Sequence, residues 1–512
     1  MTIDDFMAIA RAHPGAMIPV YRELLEDTLT PVVAFLRLRA RSRSAFLLES
    51  VEGGERIGRY SFLGLDPFAR ISALGDQVTW EGCGGAPGPE TQGNFFDVMR
   101  RAMALYRSAP VKDLPPFAGG AVGYIGYGAI RYIERIPDRH PREESPLPDA
   151  AFHFYDTVVA FDRARHRLVL IAQVHAPTGR EPLDLLFRDA QFRLDRLENA
   201  LIHPVSGEGS AGRLDPLPQA SILDHMQSNF TREDFLAAVE RAKEYIAAGD
   251  AFQIVLSQEF RRRTPIDPFQ VYRVLRALNP SPYLFYLKWD DTSLLGSSPE
   301  IMVKVVGRKV SVRPIAGTRP RAKDPVEDLR LERELLADEK ELAEHRMLVD
   351  LGRNDVGRVA RFGTVQVSRL LEVERYSHVM HIVSQVEGDL REDLTALDAF
   401  CAGFPAGTVT GAPKIRAMEI IDELEPTRRG IYAGAVGYLD FAGNLDTCIA
   451  IRTLLFHKGE VRLQAGAGIV ADSVPEKEYQ ETIHKASALF EAICRAEAIA
   501  GGPARTGLGG RP

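Results

Sequence analysis

Strand-like and helix-like stretches do not alternate one-for-one along this chain of 512 residues. This order argues against a doubly wound parallel sheet, in which a crossover helix follows nearly every strand. Both halves of the chain mix the two kinds of element, which predicts a large α+β fold. The strand-like runs are 45–48, 157–161, 168–174, 252–257, 283–287, 301–306 and 448–455. The helix-like stretches are 232–247, 326–351 and 413–424.

A loose stretch divides the chain. Residues 202–221 are rich in Gly, Pro and Ser and have no apolar period, which is typical of a linker or a long loop. We therefore expect an N-terminal region over residues 1–201 and a second domain over residues 222–497. Residues 498–512 end in GGPARTGLGGRP, which predicts a disordered tail.

Composition and charge limit the classes of partner and the cellular compartment that we expect for this chain. A net charge of −7 without a basic run argues against a nucleic-acid partner, because phosphate binding needs clustered Lys and Arg. The sequence has no run of 18 apolar residues, so we expect no membrane span. The acidic N-terminus lacks the apolar stretch of a signal peptide. Four scattered cysteines without metal-ligand or CxxC spacing fit a reducing cytoplasm.

Acidic residues recur at three-residue steps on two predicted helices. Glu341, Glu344 and His345 fall within an arc of about 100°, clear of the Leu stripe of the same helix. Glu478 and Glu481 repeat the step at the start of a second helix. One carboxylate from each helix could share a hard cation such as Mg²⁺, which prefers oxygen ligands. Taken alone, each pattern is more typical of a solvated, charged helix face or helix start.

Two glycine-rich turns are candidate anion sites. Residues 407–414 would expose backbone N–H groups before a helix, with Thr408 and Lys414 as further donors. Residues 465–468 are small and would let a ligand approach the backbone. Neither turn fits a phosphate-loop pattern, so a carboxylate is the more economical ligand. Tight turns at strand ends are the plainer interpretation of each turn alone.

Three single residues stand out from their surroundings. Arg452 lies in the apolar run 448–455 and needs a carboxylate partner, either an internal Asp or Glu or an acidic ligand. His381 lies among apolar residues, where a His is usually a satisfied core residue, but facing a cleft it would suit acid–base chemistry. Glu300 follows a predicted strand and turn, and it becomes a proton donor if burial raises its pKa. Together these features describe a site for a small dianionic substrate, one Mg²⁺ and acid–base chemistry.

Six segments occur in the order of one enzyme family. They are PIAGTRPR (314–321), DEKELAEHRMLVDLGRNDVGRV, VMHIVSQVEG, FPAGTVTGAPKIRAM, YAGAVGY and AGAGIVADSVPEKEYQET. Over most of residues 232–489 the chain resembles anthranilate synthase component I, a chorismate-utilising enzyme. The resemblance continues more thinly into LLES (47–50) and GRYSFLG (58–64). It implies an α+β fold in which antiparallel sheets pack into a sandwich with helices outside.

The resemblance implies roles for the acidic residues. Glu344 and Glu481 would bind the Mg²⁺ that grips the ring carboxylate of chorismate. Glu341 and Glu478 would lie behind them or act as additional metal contacts, and Glu341 is also carried over as a catalytic residue. Glu300 resembles the acid that protonates the departing ring hydroxyl. The negative charge of chorismate explains why a metal and a cationic side chain are needed, since preorganised charges stabilise such a ligand in its transition state.

The resemblance also implies the remaining contacts with the substrate. His381 is the candidate for the later step that expels pyruvate and aromatises the ring, and Thr408 would orient the substrate. Tyr432 and Arg452 would hold the enolpyruvyl carboxylate. The other substrate contacts implied by the resemblance are Gly317, Thr318, Lys414, Gly466, Ala467 and Gly468.

Two positions discriminate among the chorismate-utilising relatives. Aminodeoxychorismate synthases commonly have Lys at the position of Ala316, and that Lys attacks the ring, whereas Ala cannot act as a nucleophile. Isochorismate and salicylate synthases have a water-activating Lys at the position resembling Gln253, whose neutral amide cannot serve as a base. Both differences indicate ammonia as the nucleophile and anthranilate as the product. The nearest enzymatic alternative is aminodeoxychorismate synthase component I.

The resemblance implies two further partners. None of the cysteines, Cys83 included, has the flanking pattern of a glutaminase nucleophile, so we expect a separate glutamine amidotransferase subunit and a hetero-oligomer. Free ammonium should substitute for that subunit. The family binds tryptophan as a feedback inhibitor, and a plain strand and a plain turn are the alternative for the matching motifs. The matching residues are Leu47, Glu49, Ser50, Pro282, Tyr283 and Leu284.

One alternative comes from a different class of protein. A catalytically degenerate subunit on the same fold would bind an amino acid or another anion without turning over chorismate. Its mark would be the loss of a charged site residue, but all of them are present in this sequence. Turnover that depends on Mg²⁺ would exclude this alternative.

Overall fold

The computed structural model describes residues 1–25, 28–40, 42–50, 58–83, 86–140, 147–179, 182–203, 221–376 and 379–501. Over these residues the chain forms two large antiparallel sheets with helices packed against them. The predicted α+β class is therefore confirmed. None of the helices in these ranges is long and apolar enough to cross a membrane.

The strands fall into two sheets. In chain order they are β1 Met17–Leu25, β2 Ser44–Glu49, β3 Tyr60–Leu65, β4 Ala69–Leu74, β5 Gln77–Gly82, β6 Gly120–Ile125, β7 Ala150–Tyr155, β8 Thr157–Asp162, β9 Arg167–His175, β10 Gln227–Ser228, β11 Gln253–Arg263, β12 Tyr283–Trp289, β13 Thr292–Ser298, β14 Ile301–Val306, β15 Lys309–Val312, β16 Ile315–Pro320, β17 Gln366–Arg375, β18 Val379–Asp389, β19 Gly411–Ala412, β20 Ala435–Asp440, β21 Leu445–Ile449, β22 Thr453–His457 and β23 Glu460–Ile469.

Each sheet contains strands from both sides of residues 202–221. The first sheet runs β1-β9-β8-β3-β2-β12-β13-β22-β23-β11-β10, with β19 paired to β11. The second sheet runs β16-β18-β15-β14-β21-β20-β6-β7-β4-β5, with β17 paired to β18. The two halves of the chain meet at the β2–β12 pair in the first sheet and at the β20–β6 pair in the second.

Helices cover the outer faces of the sheets. They are α1 Ile3–Ala12, α2 Pro31–Arg39, α3 Phe95–Leu105, α4 Leu183–Ile202, α5 Ile222–His225, α6 Arg232–Ala247, α7 Pro268–Leu278, α8 Pro325–Ala337, α9 Glu339–Gly357, α10 Ala396–Gly403, α11 Lys414–Leu424 and α12 Pro475–Gly501. Side-chain caps fix several helix starts. The Thr231 hydroxyl, for example, accepts a hydrogen bond from the Asp234 N–H at 3.1 Å before α6.

The two sheets face each other across an aromatic core. Phe46 of the first sheet packs edge-on against Tyr155 of the second with ring centroids 4.7 Å apart. Tyr124 and Trp289 stack across the same gap at 5.6 Å. Such aromatic pairs bury large areas and add a geometric preference to the packing. The sandwich that the family resemblance implied is therefore present, with its core between the sheets.

Some element predictions were correct and others were wrong. The helix predicted for 232–247 matches α6. The helix predicted for 326–351 is two helices, because Asp338 ends α8 and caps α9 by accepting hydrogen bonds from the Lys340 and Glu341 N–H groups at 3.1 and 3.2 Å. The helix predicted from Pro413 begins at Lys414, with Pro413 as its N-cap residue.

The strand predicted for 448–455 was also wrong. The structure breaks it into β21 and β22, which belong to different sheets. Residues 498–501, predicted to be part of a disordered tail, are the last turn of α12. The rest of that tail, 502–512, lies outside the described residues, as does most of the predicted linker. At the edges of the linker, Ile202 ends α4 and Ser221 caps α5.

Candidate active site

Glu300 lies in the short connection between β13 and β14. Its carbonyl oxygen accepts a hydrogen bond from the Ile449 N–H at 3.0 Å, which holds this connection against the end of β21. The residue remains partly exposed. Burial of its carboxyl group nevertheless raises the pKa to about 7, because the charged form loses hydration. The Thr408 hydroxyl and the charges of Arg452 and Lys485 act in the opposite direction.

Arg452 lies where the chain crosses from one sheet to the other. It follows β21 of the second sheet, precedes β22 of the first and has a positive φ of 49°. Its carbonyl oxygen accepts from the Ser297 N–H at 3.1 Å, so Arg452 is held beside the end of β13. The crossover therefore brings the guanidinium close enough to Glu300 to lower the pKa of that carboxyl.

Thr408 and Tyr432 complete this part of the cleft. Thr408 lies in the 3₁₀ turn Gly407–Val409, and its hydroxyl is buried. Burial raises the pKa of Tyr432 to about 12, so the phenol keeps its proton. A β-carbon added at Gly466 would lie 2.6 Å from the Tyr432 hydroxyl oxygen. The glycine therefore leaves room beside this hydroxyl.

The four predicted metal-site glutamates meet at the start of α12 and one face of α9. Burial raises the pKa of Glu344, and repulsion from Glu341 and Glu481 contributes. Burial also raises the pKa of Glu478, and its neighbour Glu481 acts in the same direction. The charges of Glu341 and Glu481 thus act on Glu344, and the charge of Glu481 acts on Glu478, across two helices. These four glutamates are called the acidic group below.

Gln253 and Lys485 connect the acidic group to the rest of the cleft. The Gln253 side chain hydrogen-bonds to Glu344. A β-carbon at Gly468 would lie 2.7 Å from the Gln253 amide nitrogen, so this glycine keeps the amide accessible. Lys485 donates to the Gly466 carbonyl at 2.9 Å and lies 2.6 Å from Glu481. Sequence reasoning missed Lys485, although its spacing of four residues from Glu481 on one helix was an available signal.

His381 is held by polar contacts with a backbone carbonyl and with a side-chain hydroxyl. Its Nδ1 lies 2.9 Å from the Gly317 carbonyl oxygen and 3.1 Å from the Thr318 hydroxyl. Because a carbonyl oxygen can only accept, Nδ1 carries the proton in the neutral ring and Nε2 carries the lone pair. A β-carbon at Gly317 would lie 3.2 Å from a Glu341 carboxylate oxygen. The paired strands β16 and β18, which contain Gly317 and His381, therefore lie next to the acidic group.

Two predicted substrate contacts, Lys414 and Ala467, have side chains that are occupied by or packed against the protein itself. Lys414 donates to Asp355 at 3.1 Å and to the Gly403 carbonyl at 3.0 Å, and both side chains of the pair are largely buried. Asp355 lies eleven residues after Glu344 on α9, or about 16 Å along the helix. The carboxylate near Lys414 is thus one of the protein's own. Ala467 is fully buried, and strand alternation places its side chain on the opposite face from Gly466 and Gly468.

The two motifs predicted to bind tryptophan lie on adjacent strands. In the β2–β12 pair, Glu49 is opposite Leu284 and Leu47 is opposite Tyr286. The Glu49 side chain is fully buried and accepts from the Tyr272 hydroxyl at 2.7 Å and from Arg276 at 3.1 Å. The Ser50 hydroxyl is buried, and it has no hydrogen-bond partner among the residues that the structure describes. Pro282 is buried, and Tyr283 donates to Asp446 at 2.8 Å.

The donor set of the acidic group suits a hard cation. Its members offer carboxylate oxygens, and burial together with neighbouring carboxylates raises the pKa values of Glu344 and Glu478. Over the residues that the structure describes, no three His, Cys, Asp or Glu side chains stand in a ready-made metal cluster. This arrangement fits Mg²⁺, which keeps several waters and binds through one or two carboxylates together with its substrate.

The chain is similar to enzymes of known function along nearly its whole length. The sequence profile of the chorismate binding enzymes matches residues 43–491. The chain is 45% identical over 492 residues to anthranilate synthase component 1 of Acetivibrio thermocellus, covering 96% of this chain and 98% of the relative. It is 48% identical over 486 residues to the same component of Acinetobacter calcoaceticus, covering 93% and 95%.

Solved structures agree with the sequence comparisons. The crystal structure of anthranilate synthase component I from Streptococcus pneumoniae TIGR4 superposes with a TM-score of 0.72 at 36% identity, covering 91% of this chain and 99% of that one. The menaquinone-specific isochorismate synthase of Escherichia coli shares the fold, with a TM-score of 0.66 at 20% identity, covering 96% and 98%. The chain therefore belongs to the chorismate-binding enzyme family. Within that family it is similar along nearly its whole length to anthranilate synthase component 1.

Proposed function

We propose that this protein converts chorismate and ammonia to anthranilate, pyruvate and water, the first committed step of tryptophan synthesis. The observation that carries the proposal is the Glu300 carboxyl, whose pKa of about 7 lets it hold a proton beside the Arg452 guanidinium. A proton donor next to a cation suits a substrate that is an anion and has a poor leaving group. The full-length similarity to anthranilate synthase component 1 supports the same reaction.

The first half of the reaction uses the cleft around Glu300. Arg452 and Tyr432 hold the enolpyruvyl carboxylate, the guanidinium by charge and the phenol, still protonated, by donating a hydrogen bond. Glu300 gives its proton to the ring hydroxyl, which leaves as water while ammonia forms the new carbon–nitrogen bond. Thr408 orients the substrate next to that carboxyl. Proton transfer of this kind contributes roughly 10²–10⁴-fold to the rate.

The second half removes pyruvate and makes the ring aromatic. His381 takes the proton from the ring carbon that carries the new amino group, and the ether bond to the enolpyruvyl group breaks as the ring electrons shift. The leaving group takes up a proton and departs as pyruvate. The Gly317 carbonyl supports this assignment, because it fixes the tautomer in which Nε2 is the base. Gly317, Thr318, Gly466, Ala467 and Gly468 would contact the substrate through backbone or hydroxyl groups.

The acidic group would hold one Mg²⁺ through Glu344 and Glu481, with Glu341 and Glu478 nearby. When bound, the ion supplies charge that attracts and orients the ring carboxylate. Lys485 is well located to balance this end of the cleft, since it contacts both Glu481 and the Gly466 carbonyl. Glu341 also lies beside the Gly317 turn that holds His381, which supports its role in catalysis.

Two side chains support ammonia, and not water or lysine, as the nucleophile. Ala316 has no group that could attack the ring, which argues against an aminodeoxychorismate synthase. Gln253 lies at the acidic end of the cleft, where its neutral amide hydrogen-bonds to Glu344 but cannot deprotonate water. The alternative functions predict different products. An aminodeoxychorismate synthase would release an aminated intermediate, and a degenerate subunit would form no product.

The partners follow from this chemistry. We propose a separate glutamine amidotransferase subunit as the source of ammonia, in a hetero-oligomer, and the name component 1 of the relatives supports a second component. All four cysteines are free thiols, which supports a reducing compartment such as the cytoplasm. The net charge of −7 supports the absence of a nucleic-acid partner.

We propose that tryptophan binds at the β2–β12 pair and inhibits the enzyme. The Ser50 hydroxyl is buried and has no hydrogen-bond partner within the described part of the chain, and it lies next to Glu49, whose carboxylate suits an ammonium group. Leu47, Pro282, Tyr283 and Leu284 would form the apolar walls. On this proposal the region 1–201 contributes one wall of the feedback site, and the region 222–497 contributes the other wall and the active site.

The test is one assay with four arms. Purified protein is mixed with chorismate, Mg²⁺ and ammonium at mildly alkaline pH, and anthranilate fluorescence is followed with and without tryptophan and with and without a chelator. A metal-dependent rise that tryptophan suppresses is expected. Consumption of chorismate without fluorescence would move the function to a sister enzyme, and no consumption would favour the degenerate subunit. Accumulation of an aminated, pyruvyl-bearing intermediate is expected for His381→Ala, and a wild-type yield of anthranilate would contradict its role.

A further inference from the structure

The segment between α11 and β20 contains an ion pair that is shielded from solvent. Only 3% of the Glu425 side chain and 1% of the Arg429 side chain are exposed, and two hydrogen bonds of 2.6 and 2.9 Å join them. We propose that this pair positions the candidate active site by fixing the turn of Thr408 and the ring of Tyr432 relative to β11. The proposal rests on the proposed function and deepens it. Neither residue would touch the substrate, so both would be positioning residues.

Glu425 anchors the pair to the first sheet. One of its oxygens accepts from the backbone N–H and from the hydroxyl of Ser257, both at 2.8 Å. The Ser257 hydroxyl in turn accepts from the Gln464 amide at 2.9 Å, which joins β11 to β23. Apart from Arg429 itself, the groups that contact this carboxylate belong to Ser257 of β11, so the pair is anchored to a fixed place in the sheet.

Arg429 links Glu425 to the 407–409 turn, to β11 and to the ring of Tyr432. It donates to the Val409 carbonyl at 2.7 Å and to the Val255 carbonyl at 2.6 Å. Its guanidinium also lies over two aromatic rings, 4.9 Å from the centroid of Tyr127 and 5.6 Å from that of Tyr432. A planar, five-donor group is suited to such a junction, and a lysine could not reproduce it.

The segments joined in this way each carry a candidate site residue. Val409 is the neighbour of Thr408, and Val255 lies two residues after Gln253, which contacts Glu344. Tyr432 itself forms the wall beside Gly466. A shift of the 407–409 turn would leave a buried donor of Arg429 unpaired, which is costly. A shift of the Tyr432 ring would weaken its cation–π contact with the guanidinium. The pair thus ties the proton-donor end of the cleft to its acidic end.

Stability alone does not account for such a pair. A buried ion pair often contributes no more to stability than apolar side chains of similar volume would. The two charges also nearly cancel at a distance, so their field contributes little to the cleft. What the pair supplies is geometry, and misplacement of reacting groups by about 1 Å can cost on the order of 10²-fold in rate. Loss of the pair should therefore lower kcat more than it lowers stability.

The experiment compares two double variants of the full chain. Glu425→Met with Arg429→Met removes both charges together, so that no single buried charge is left behind. Arg59→Gln with Asp162→Asn is the control, because this bidentate pair has two bonds of 2.8 Å and a fully buried carboxylate but joins β3 to β8, away from the cleft. For each, kcat, the KM of chorismate and the thermal midpoint are measured with ammonium as the nitrogen source.

We expect kcat of the Glu425/Arg429 variant to fall by about 10- to 100-fold. The KM of chorismate should change by less than about 3-fold, and the control should keep kcat while its thermal midpoint falls by a comparable amount. Wild-type turnover is measured first, and its absence would contradict the proposed function itself. Where the wild type is active, an unchanged kcat in the variant, or an equal loss of kcat in the control, would overturn the positioning role alone.

A second variant tests the same role by chemical rescue. A cavity of about 680 Å³ opens beside Glu425, Arg429 and Tyr432, so a small cation can reach the space left by Arg429→Ala. Guanidinium at millimolar concentration should restore kcat of this variant several-fold, whereas urea at the same concentration should not. Equal effects of the two additives, or a thermal midpoint restored by guanidinium without any gain in kcat, would contradict the proposal.

Discussion

Glu49 and Glu300 are both carboxyls set into the protein, yet their surroundings differ. Glu49 is fully buried and has three donors, namely the Tyr272 hydroxyl and the guanidinium groups of Arg276 and Arg163. Glu300 loses hydration in its cleft without equal compensation, and its pKa rises to about 7. Three of about four acceptor positions of the Glu49 carboxylate are filled, so it is fixed in place, whereas the under-compensated Glu300 carboxyl can give up and regain a proton. Under the proposed function, this contrast separates a ligand-recognition carboxylate from a reactive one.

The largest expected effect tests the reactive half of this comparison. Glu300→Gln keeps the shape of the side chain but removes the proton donor, so kcat should fall by roughly 10²–10⁴-fold. Glu49→Gln should keep kcat within about 2-fold in the absence of tryptophan. Anthranilate fluorescence with ammonium and chorismate measures both. Similar losses in the two variants would remove the distinction.

The pH dependence of unfolding sharpens the same comparison. The folded pKa of Glu300 is raised from 4.5 to about 7. The stability that its protonation contributes is therefore fully present below pH 4.5 and is lost as the pH rises through 7. Relative to Glu300→Gln, the wild type should therefore lose up to about 3 kcal/mol of unfolding free energy between pH 4.5 and pH 8. Urea denaturation of both proteins at each pH measures the difference. Parallel pH profiles would show that the carboxyl titrates normally.

A third prediction concerns the cation beside Glu300. Arg452→Lys keeps the charge but loses the planar fork that suits a carboxylate, so the KM of chorismate should rise by about 10- to 100-fold. The Arg276→Lys variant is the matched change beside Glu49 and should leave this KM unchanged. Steady-state kinetics at saturating ammonium separate the two. An unchanged KM in Arg452→Lys would exclude the guanidinium from substrate binding.

A fourth prediction tests the recognition half. Glu49→Gln should raise the tryptophan concentration for half-inhibition by about 10-fold, because a charge-assisted hydrogen bond to the ligand's ammonium group is lost. Tyr272→Phe removes one donor to Glu49 but keeps its charge, and it should have a smaller effect. Inhibition curves at fixed chorismate measure both. Full tryptophan sensitivity in Glu49→Gln would exclude this carboxylate from the feedback site.

The smallest expected effect sets the baseline for all of these. Arg330 is exposed and pairs with Glu327 and Glu334 on the surface of α8. Arg330→Gln should change the unfolding free energy by less than about 0.5 kcal/mol, since exposed pairs contribute little. Urea denaturation measures it. A larger loss would mean that α8 supports the neighbouring acidic group.

Local patterns in the sequence predicted the fold class and several elements. The helical pattern of residues 232–247 predicted α6, and the three-residue spacing of Glu341 and Glu344 predicted their shared face. The same rules failed where a polar residue interrupts an otherwise helical run. Asp338 caps α9 instead of continuing α8, and a competing cap is hard to distinguish from a helical Asp in one sequence.

The candidate site was predicted in its residue types but not in its geometry. The run around Arg452 has the apolar character of one strand, but the chain changes sheets there, and this depends on strands far away in the sequence. The Glu425–Arg429 pair was missed for a similar reason, because its partners come from β11 and the 407–409 turn. Lys414 matched a family motif, but its nearest carboxylate in the structure is Asp355.

The way the two sheets share strands has a consequence for synthesis of the chain on the ribosome. Strands β2 and β6 each have one neighbour early in the chain, and their other neighbours, β12 and β20, each emerge more than 200 residues later. Until then both strands present an open backbone edge, and β6 is buried along its whole length in the finished fold. Open apolar edges invite pairing with other chains. A nascent or truncated N-terminal half should therefore depend on chaperones that shield strand edges.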